Sequence, residues 1–272
     1  MPGSGYEVVR LSPARMLTID LLRGFSRKPI IHGLLEADVT LPRQRLREIE
    51  GRTGERLSFS AFLIHCLATA VTEHPHLNAA RSGHRVYRFD QVNVGTMVER
   101  EQRGEKTVAP LRIDSADRKS VREIHDEIRH AQAVPIRNVG SVQGWEWVMW
   151  IPRPVRRLLF GVMQTRPRLA HRYGLLVAMS AVGMFGAGAG WAIALTPATV
   201  QLTVGGIGRR PVLVDGELVE HELLSLTISF DHEIIDGAPA ARFAERLRQL
   251  VEGADGLPAE ERASATQPTG RR

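Results

Sequence analysis

Residues Leu224 to Gly237 constrain the fold more than any other stretch of the chain. Leu224, Leu226, Ile228 and Phe230 alternate with Ser225, Thr227 and Ser229, the two-residue period of a strand. The alternation stops at Asp231-His232. From Ala238 the period is helical, with Ala240, Phe243, Ala244, Leu247, Leu250 and Val251 on one face. Between strand and helix stands His232-x-x-x-Asp236-Gly237. A histidine where a buried strand gives way to a helix, with a carboxylate four residues on, is a candidate general base with an orienting partner.

The rest of the chain alternates elements as a mixed α/β protein does. Met16–Phe25 reads as a short helix, Ile31–Thr40 as a strand, and Leu41-Pro42 opens a helix to about Glu50. Ser58–Glu73 is helical and apolar nearly all round, so it is expected to be buried, with Pro75 ending it. Asn78–Glu99 reads as strands joined at Ser82-Gly83, and Val108–Ile113 as a further strand. Asp117–Gln132 is an amphipathic helix with Val121, Ile124 and Ile128 inward and with His125 and His130 expected at the surface. Thr199–Val204 is a strand, Gly205-Gly206-Ile207-Gly208 a predicted turn, and Asp215-Gly216 the turn of a hairpin between Pro211–Val214 and Leu218–Phe230.

Two segments resist this pattern. Val134–Tyr173 sets Trp145, Trp147 and Trp150 beside Ile151-Pro152-Arg153-Pro154 and the run Val155–Met163, in which Arg156-Arg157 is followed by Leu158-Leu159-Phe160. Aromatics beside arginine and leucine suit a packing or oligomer surface, and they also suit contact with a membrane surface through 145–163. Tyr173–Pro197 carries no charge, but its five glycines favour a buried strand followed by a glycine-rich loop over a membrane span.

Charge and cysteine usage narrow the function classes. The formal net charge is +6, carried almost wholly by arginine, with lysine only at Lys28, Lys106 and Lys119. No zinc-finger, RNP or basic-heptad pattern accompanies it, so nucleic acid is not the expected partner, whereas small phosphorylated anions remain compatible. Cys66 is the single cysteine and lies in an apolar run, which speaks against an internal disulfide or a cysteine metal site. No signal-peptide pattern opens the chain, and a cytoplasmic location is expected.

The segment Ser229–Ala238, followed by Ala241-Arg242-Phe243, strongly resembles the catalytic signature of the dihydrolipoamide acyltransferases, the core components of 2-oxo acid dehydrogenase complexes. Ser26–His32 with Glu36–Thr40, Glu73–Ala79, and Met179–Gly186 resemble other parts of the same family, so the likeness covers roughly residues 14 to 252. It implies a chloramphenicol acetyltransferase-like α/β sandwich with a mixed central sheet and flanking helices. It also implies His232 as catalytic base, Ser180 as the hydroxyl that stabilises the oxyanion, and Asp236 as the structural carboxylate of the motif, paired with an arginine for which Arg23 is a candidate. The implied substrates are acyl-coenzyme A and a thiol acceptor such as dihydrolipoamide, with no metal; residues binding coenzyme A are not assigned. The alternatives are a non-catalytic structural homologue and a coenzyme A-dependent acyltransferase with a non-lipoyl acceptor.

The sequence departs from that family at Glu233, where an arginine is usual, and in the insert near 134–173. Residues 1–13 read as an arm, 14–252 as the catalytic domain and 253–272 as a disordered polar tail. No lipoyl module is recognised, so a lipoyl group is expected only from another chain. The family implies a homotrimer with histidine and serine of one site supplied by different subunits, and the polar tail suggests a trimer that builds no large cage.

Overall fold

The computed structural model describes residues 28–102, 105–134, 151–181 and 188–258, and ahead of them Glu7, Val8, Arg10, Leu11, Arg15, Met16, Ile19, Asp20 and Arg23. Strands are β1 (Ile30–Asp38), β2 (Ala79–Ser82), β3 (Arg85–Arg88), β4 (Val94–Gln102), β5 (Glu105–Ile113), β6 (Val177–Ala181), β7 (Val200–Val214) and β8 (Glu217–Asp231). Helices are α1 (Thr40–Thr53), α2 (Phe59–Glu73), α3 (Val121–Ala133), α4 (Arg153–Thr165), α5 (Pro167–Arg172) and α6 (Gly237–Glu252). The main sheet runs β1-β8-β7-β6-β4-β5, with β4–β6 and β6–β7 parallel and the other pairs antiparallel; β2 and β3 form a separate ribbon. This is the mixed sheet with flanking helices expected from the sequence.

The helix α2 is the centre of the core. Ser58 caps it by accepting the Ala61 N–H, and Phe62, Leu63, Ile64, Cys66 and Leu67 are all buried. It packs between α3 and α6, while α6 also lies against β1 and α3 against β4. Burying each large side chain here contributes roughly 1.5–3 kcal/mol. Phe243 of α6 meets Phe230 of β8 edge-on with ring centroids 5.8 Å apart, so the helix after the histidine is locked to the strand before it.

His125 departs from its expected place. It is buried, and Nδ1 accepts the Ser58 N–H at 2.9 Å. The amphipathic pattern counts His125 as polar, yet it lies beside the inward Ile124 and Ile128, where it satisfies the N–H of Ser58, the residue that caps α2, which Ala61 at the third helical position has no acceptor to meet.

Gly205–Gly208 is no turn. The strand β7 passes straight through it, with a bulge between Val204 and Ile207. Residues 188–198 form a strap over this point. Gly190 bridges to Gly206 and its N–H reaches the Ser225 hydroxyl at 3.3 Å, Trp191 donates its indole N–H to the Leu35 carbonyl, and Pro197 accepts from Lys28. A Cβ on Gly205 or Gly206 would strike the carbonyl oxygens of Gly190 and Gly188, and one on Gly208 the Ala189 side chain. The glycines are there for close approach of the strap. The Asp215-Gly216 turn is as expected: both residues have positive φ, 50° and 87°, and the strands pair Leu213 to Leu218 and Val214 to Glu217.

In the arginine-rich segment, residues 153–172 fold as α4 and α5, and Phe160 and Met163 build a small core of their own with Leu169 and Tyr173. Arg156 is buried on Asp20, which also takes Arg157 at 2.8 Å, so α4 is tied to the N-terminal segment. Val155 and Leu158 stay exposed. Trp145, Trp147 and Trp150 lie outside the described residues, as do most of Met16–Phe25, Val182–Ala187 and residues 259–272; Met16, Ile19, Asp20 and Arg23 have helical backbone. Past α6, Ala254 and Leu257 remain buried in the core. No described helix is long and apolar enough to cross a membrane.

Candidate active site

The strand β8 ends at Asp231, and the five residues that follow form a tightly bonded turn. The Asp231 carbonyl accepts the N–H groups of Ile234 and Ile235, both at 3.0 Å, and its Oδ1 accepts that of Glu233 at 3.1 Å. The Asp231 N–H goes to the Thr199 carbonyl and the His232 N–H to the Pro29 carbonyl at 2.8 Å. Ile235 is buried and Phe243 follows it inward, so the turn is anchored by packing as well. Around it, Arg81 of β2 grips Glu233 at 2.8 Å. This is an ion pair the sequence reading missed, because the partners lie far apart in the chain. It gives a partner to the acid that stands where an arginine is usual in the resembled family.

His232 projects from this turn with 43% of its side chain exposed. Nδ1 lies 2.9 Å from the Ile235 carbonyl oxygen. A carbonyl only accepts, so Nδ1 carries the proton and Nε2 of the neutral ring has the free lone pair. The Asp236 carboxylate is 3.9 Å from Nδ1, beyond hydrogen-bond range, and its side chain is 89% exposed. Among the described residues Asp236 pairs with no arginine; it stands at the solvent-facing start of α6, too exposed to hold a buried guanidinium. Nor would a Cβ at Gly237 come within 4 Å of another segment among the described residues.

Ser180 lies on β6, partly exposed, in register with Thr203 of β7, which pairs with Thr227 of β8. It is therefore two strands from β8 and four residues back from Asp231. At about 4.8 Å per strand and about 3.3 Å per residue, Ser180 and the histidine turn are about 16 Å apart within one chain. One chain does not bring the two together. Ser180 opens instead on a cavity of about 1000 Å³ whose walls mix apolar residues such as Leu63, Val98 and Met179 with polar ones, Glu50 and Glu99 among them. Arg56 and Arg129 also line it, and neither has a carboxylate partner among the described residues.

Two other groups with reactive side chains are already engaged. Cys66 is fully buried, and burial, with Asp255 adding to it, pushes its thiol far up, so it offers no thiolate. Glu55, His125 and Asp126 gather on one side of α3, but Nδ1 of His125 holds the Ser58 N–H and Glu55 holds Arg122.

The fold is that of solved acyltransferase cores. The solved probable dihydrolipoamide acetyltransferase of Listeria monocytogenes superposes with a TM-score of 0.69 over 94% of this chain and 98% of that one, at 20% identity. The dihydrolipoamide acetyltransferase of Azotobacter vinelandii superposes with a TM-score of 0.65 over 92% and 93%, at 22% identity. The chain belongs to the family described as 2-oxoacid dehydrogenases acyltransferase (catalytic domain), which it matches over residues 6–134 and 154–258. The stretch outside the match, 135–153, is shorter than the insert read from the sequence, and α4 and α5 fall almost wholly within the family. Among curated relatives, the lipoamide acyltransferase component of the branched-chain alpha-keto acid dehydrogenase complex of Pseudomonas putida is 24% identical over 80% of this chain and 45% of its own length. The dihydrolipoyllysine-residue acetyltransferase component of the pyruvate dehydrogenase complex of Staphylococcus epidermidis is 27% identical over 77% and 42%. The chain thus spans about half the length of the curated relatives it matches.

Proposed function

We propose that the chain transfers an acyl group between the thiol of coenzyme A and a second thiol such as that of dihydrolipoamide, at a site completed by a neighbouring subunit. The observation that carries this reading is the hydrogen bond from His232 Nδ1 to the Ile235 carbonyl, which leaves Nε2 as an exposed base. A free thiol near its ordinary pKa of about 8.5 is mostly protonated at neutral pH, so attack needs such a base.

In the proposed step, Nε2 takes the proton of the acceptor thiol as its sulfur attacks the thioester carbonyl. The carbonyl oxygen becomes an oxyanion, and the Ser180 hydroxyl donates a hydrogen bond to it. Collapse breaks the bond to the donor sulfur, which leaves as a thiolate and takes the proton back from the imidazolium. One C–S bond forms, one breaks, and no covalent acyl-enzyme intervenes. The cavity beside Ser180 fits an acyl carrier: its walls suit the apolar arm and its arginines attract phosphates.

In the Azotobacter vinelandii enzyme a serine, a histidine and an asparagine have been investigated for their role in the catalytic mechanism, and they are spaced along that chain as Ser180, His232 and Asp236 are here. Asp236 replaces the asparagine. Its exposure suits a role in the turn or at a subunit boundary over one in proton transfer. The separation of Ser180 from His232 within one chain supports a homotrimer with serine and histidine from different copies. A pyruvate dehydrogenase complex core solved in cubic form has the same fold, with a TM-score of 0.64. The exposed Trp191, Ile193 and Leu195 of the strap offer apolar surface for such contacts.

The test is transfer from a panel of acyl-coenzyme A donors to dihydrolipoamide, with His232→Ala as control. A rate above background that the variant loses while still folded supports the reading. Equal background rates in both would mark a non-catalytic homologue.

A further inference from the structure

We propose that Lys28 is a positioning residue for His232. Its ammonium lies 2.7 Å from Oδ2 of Asp231 and donates to the Pro197 carbonyl at 2.9 Å. The Asp231 side chain is 2% exposed, and Lys28 is the cation that pairs with it. A carboxylate in that position needs a counter-charge. The same carboxylate holds the Glu233 N–H through its other oxygen, and Glu233 is the residue after the histidine. Pro29, the residue after Lys28, accepts the His232 N–H.

Lys28 therefore ties three segments at one point: the entry to β1, the end of the strap at Pro197–Thr199 and the histidine turn. It touches no reacting atom in the proposed chemistry and acts by holding the turn that aims the imidazole. The charged groups about His232 are Asp231 with Lys28, Glu233 with Arg81, and the exposed Asp236. Removing the ammonium leaves the Asp231 charge uncompensated next to the base. The inference rests on reading His232 as that base.

The experiment compares the purified full chain with Lys28→Met, Lys28→Arg and the double variant Lys28→Met/Asp231→Asn. Lys28→Met is expected to lower kcat about tenfold or more, since small misplacement of a catalytic group is costly, with KM changed by less than about twofold. Lys28→Arg recovers part of the rate. The double variant recovers most of it, because asparagine keeps the acceptor for the Glu233 N–H and removes the unpaired charge.

The second readout needs no activity. NMR titration of the His232 ring is expected to show its pKa raised in Lys28→Met by the uncovered anion, and restored in the double variant. A folded Lys28→Met with the wild-type kcat and titration overturns the proposal, as does a double variant no better than Lys28→Met. If Lys28→Met fails to fold, recovery of fold and rate in the double variant supports it, and a folded but slow double variant overturns it. If the wild type transfers no acyl group at all, the proposed function fails instead. The titration then decides the present point, and an unchanged His232 curve in Lys28→Met overturns it.

Discussion

Nδ1 of His232 donates to the carbonyl of Ile235, three residues further along the same turn, at 2.9 Å. The imidazole is thus oriented by its own backbone, and the side chain four residues on takes no part in that bond. His232→Ala is expected to lower kcat by about a hundredfold or more while the fold is kept. Asp236→Asn should cost far less, because no hydrogen bond to the ring is lost. Steady-state kinetics of the two variants checks the contrast.

Ser180→Ala is expected to lower kcat by about a hundredfold with little change in KM, the signature of an interaction formed with the transition state. A variant that raises KM and leaves kcat intact would move Ser180 from the reacting centre to the carrier.

Two inactive variants should make an active protein. If serine and histidine of one site come from different copies, co-folding His232→Ala with Ser180→Ala chains places some intact serines opposite intact histidines. In an evenly mixed trimer about a quarter of sites are whole, so the mixture should regain about a quarter of the wild-type rate. A mixture as dead as its parts would mean that no site is shared.

Arg56 and Arg129 line the Ser180 cavity without carboxylate partners among the described residues. Arg56→Gln and Arg129→Gln should raise KM for acyl-coenzyme A and flatten its dependence on salt, with kcat nearly unchanged. A phosphate-free thioester substrate should be indifferent to both changes.

Acid stability should report on His125. Burial, with Arg129 adding to it, holds its pKa below the ordinary histidine value, and the neutral ring accepts the Ser58 N–H. The unfolded chain, near about 6.5, binds a proton that the folded one resists. Its contribution is therefore whole above that pH and is lost as pH falls through the folded-state value. Urea unfolding should show stability dropping in this range, and less steeply in His125→Gln. His125→Ala should lose about 1–3 kcal/mol near neutral pH by stranding the Ser58 N–H.

The legible parts of this protein were those with local signals. Alternation along Leu224–Phe230, the helical period after Ala238 and Asp215-Gly216 placed β8, α6 and the hairpin, and the histidine between them marked the candidate site. Periodicity failed where a distant segment decides the outcome. Gly205–Gly208 carries a turn composition, yet a strap from residues 188–190 needs those glycines as bare backbone inside a strand. His125 counts as polar on a helical wheel, yet the start of another helix requires its lone pair. The pairing of Lys28 with Asp231 joins positions at opposite ends of the chain, and no spacing rule foretells it.

The distance between Ser180 and the histidine turn has a consequence for measurement. In the proposed trimer a lone chain holds both halves of a site and completes neither. Below the association midpoint, the amount of trimer grows with the cube of protomer concentration by mass action. Specific activity should then rise with the square of enzyme concentration and level off once assembly is complete. A dilution series would read the reaction order in enzyme directly, and a value near three would count the chains that must meet before the first thioester is cut.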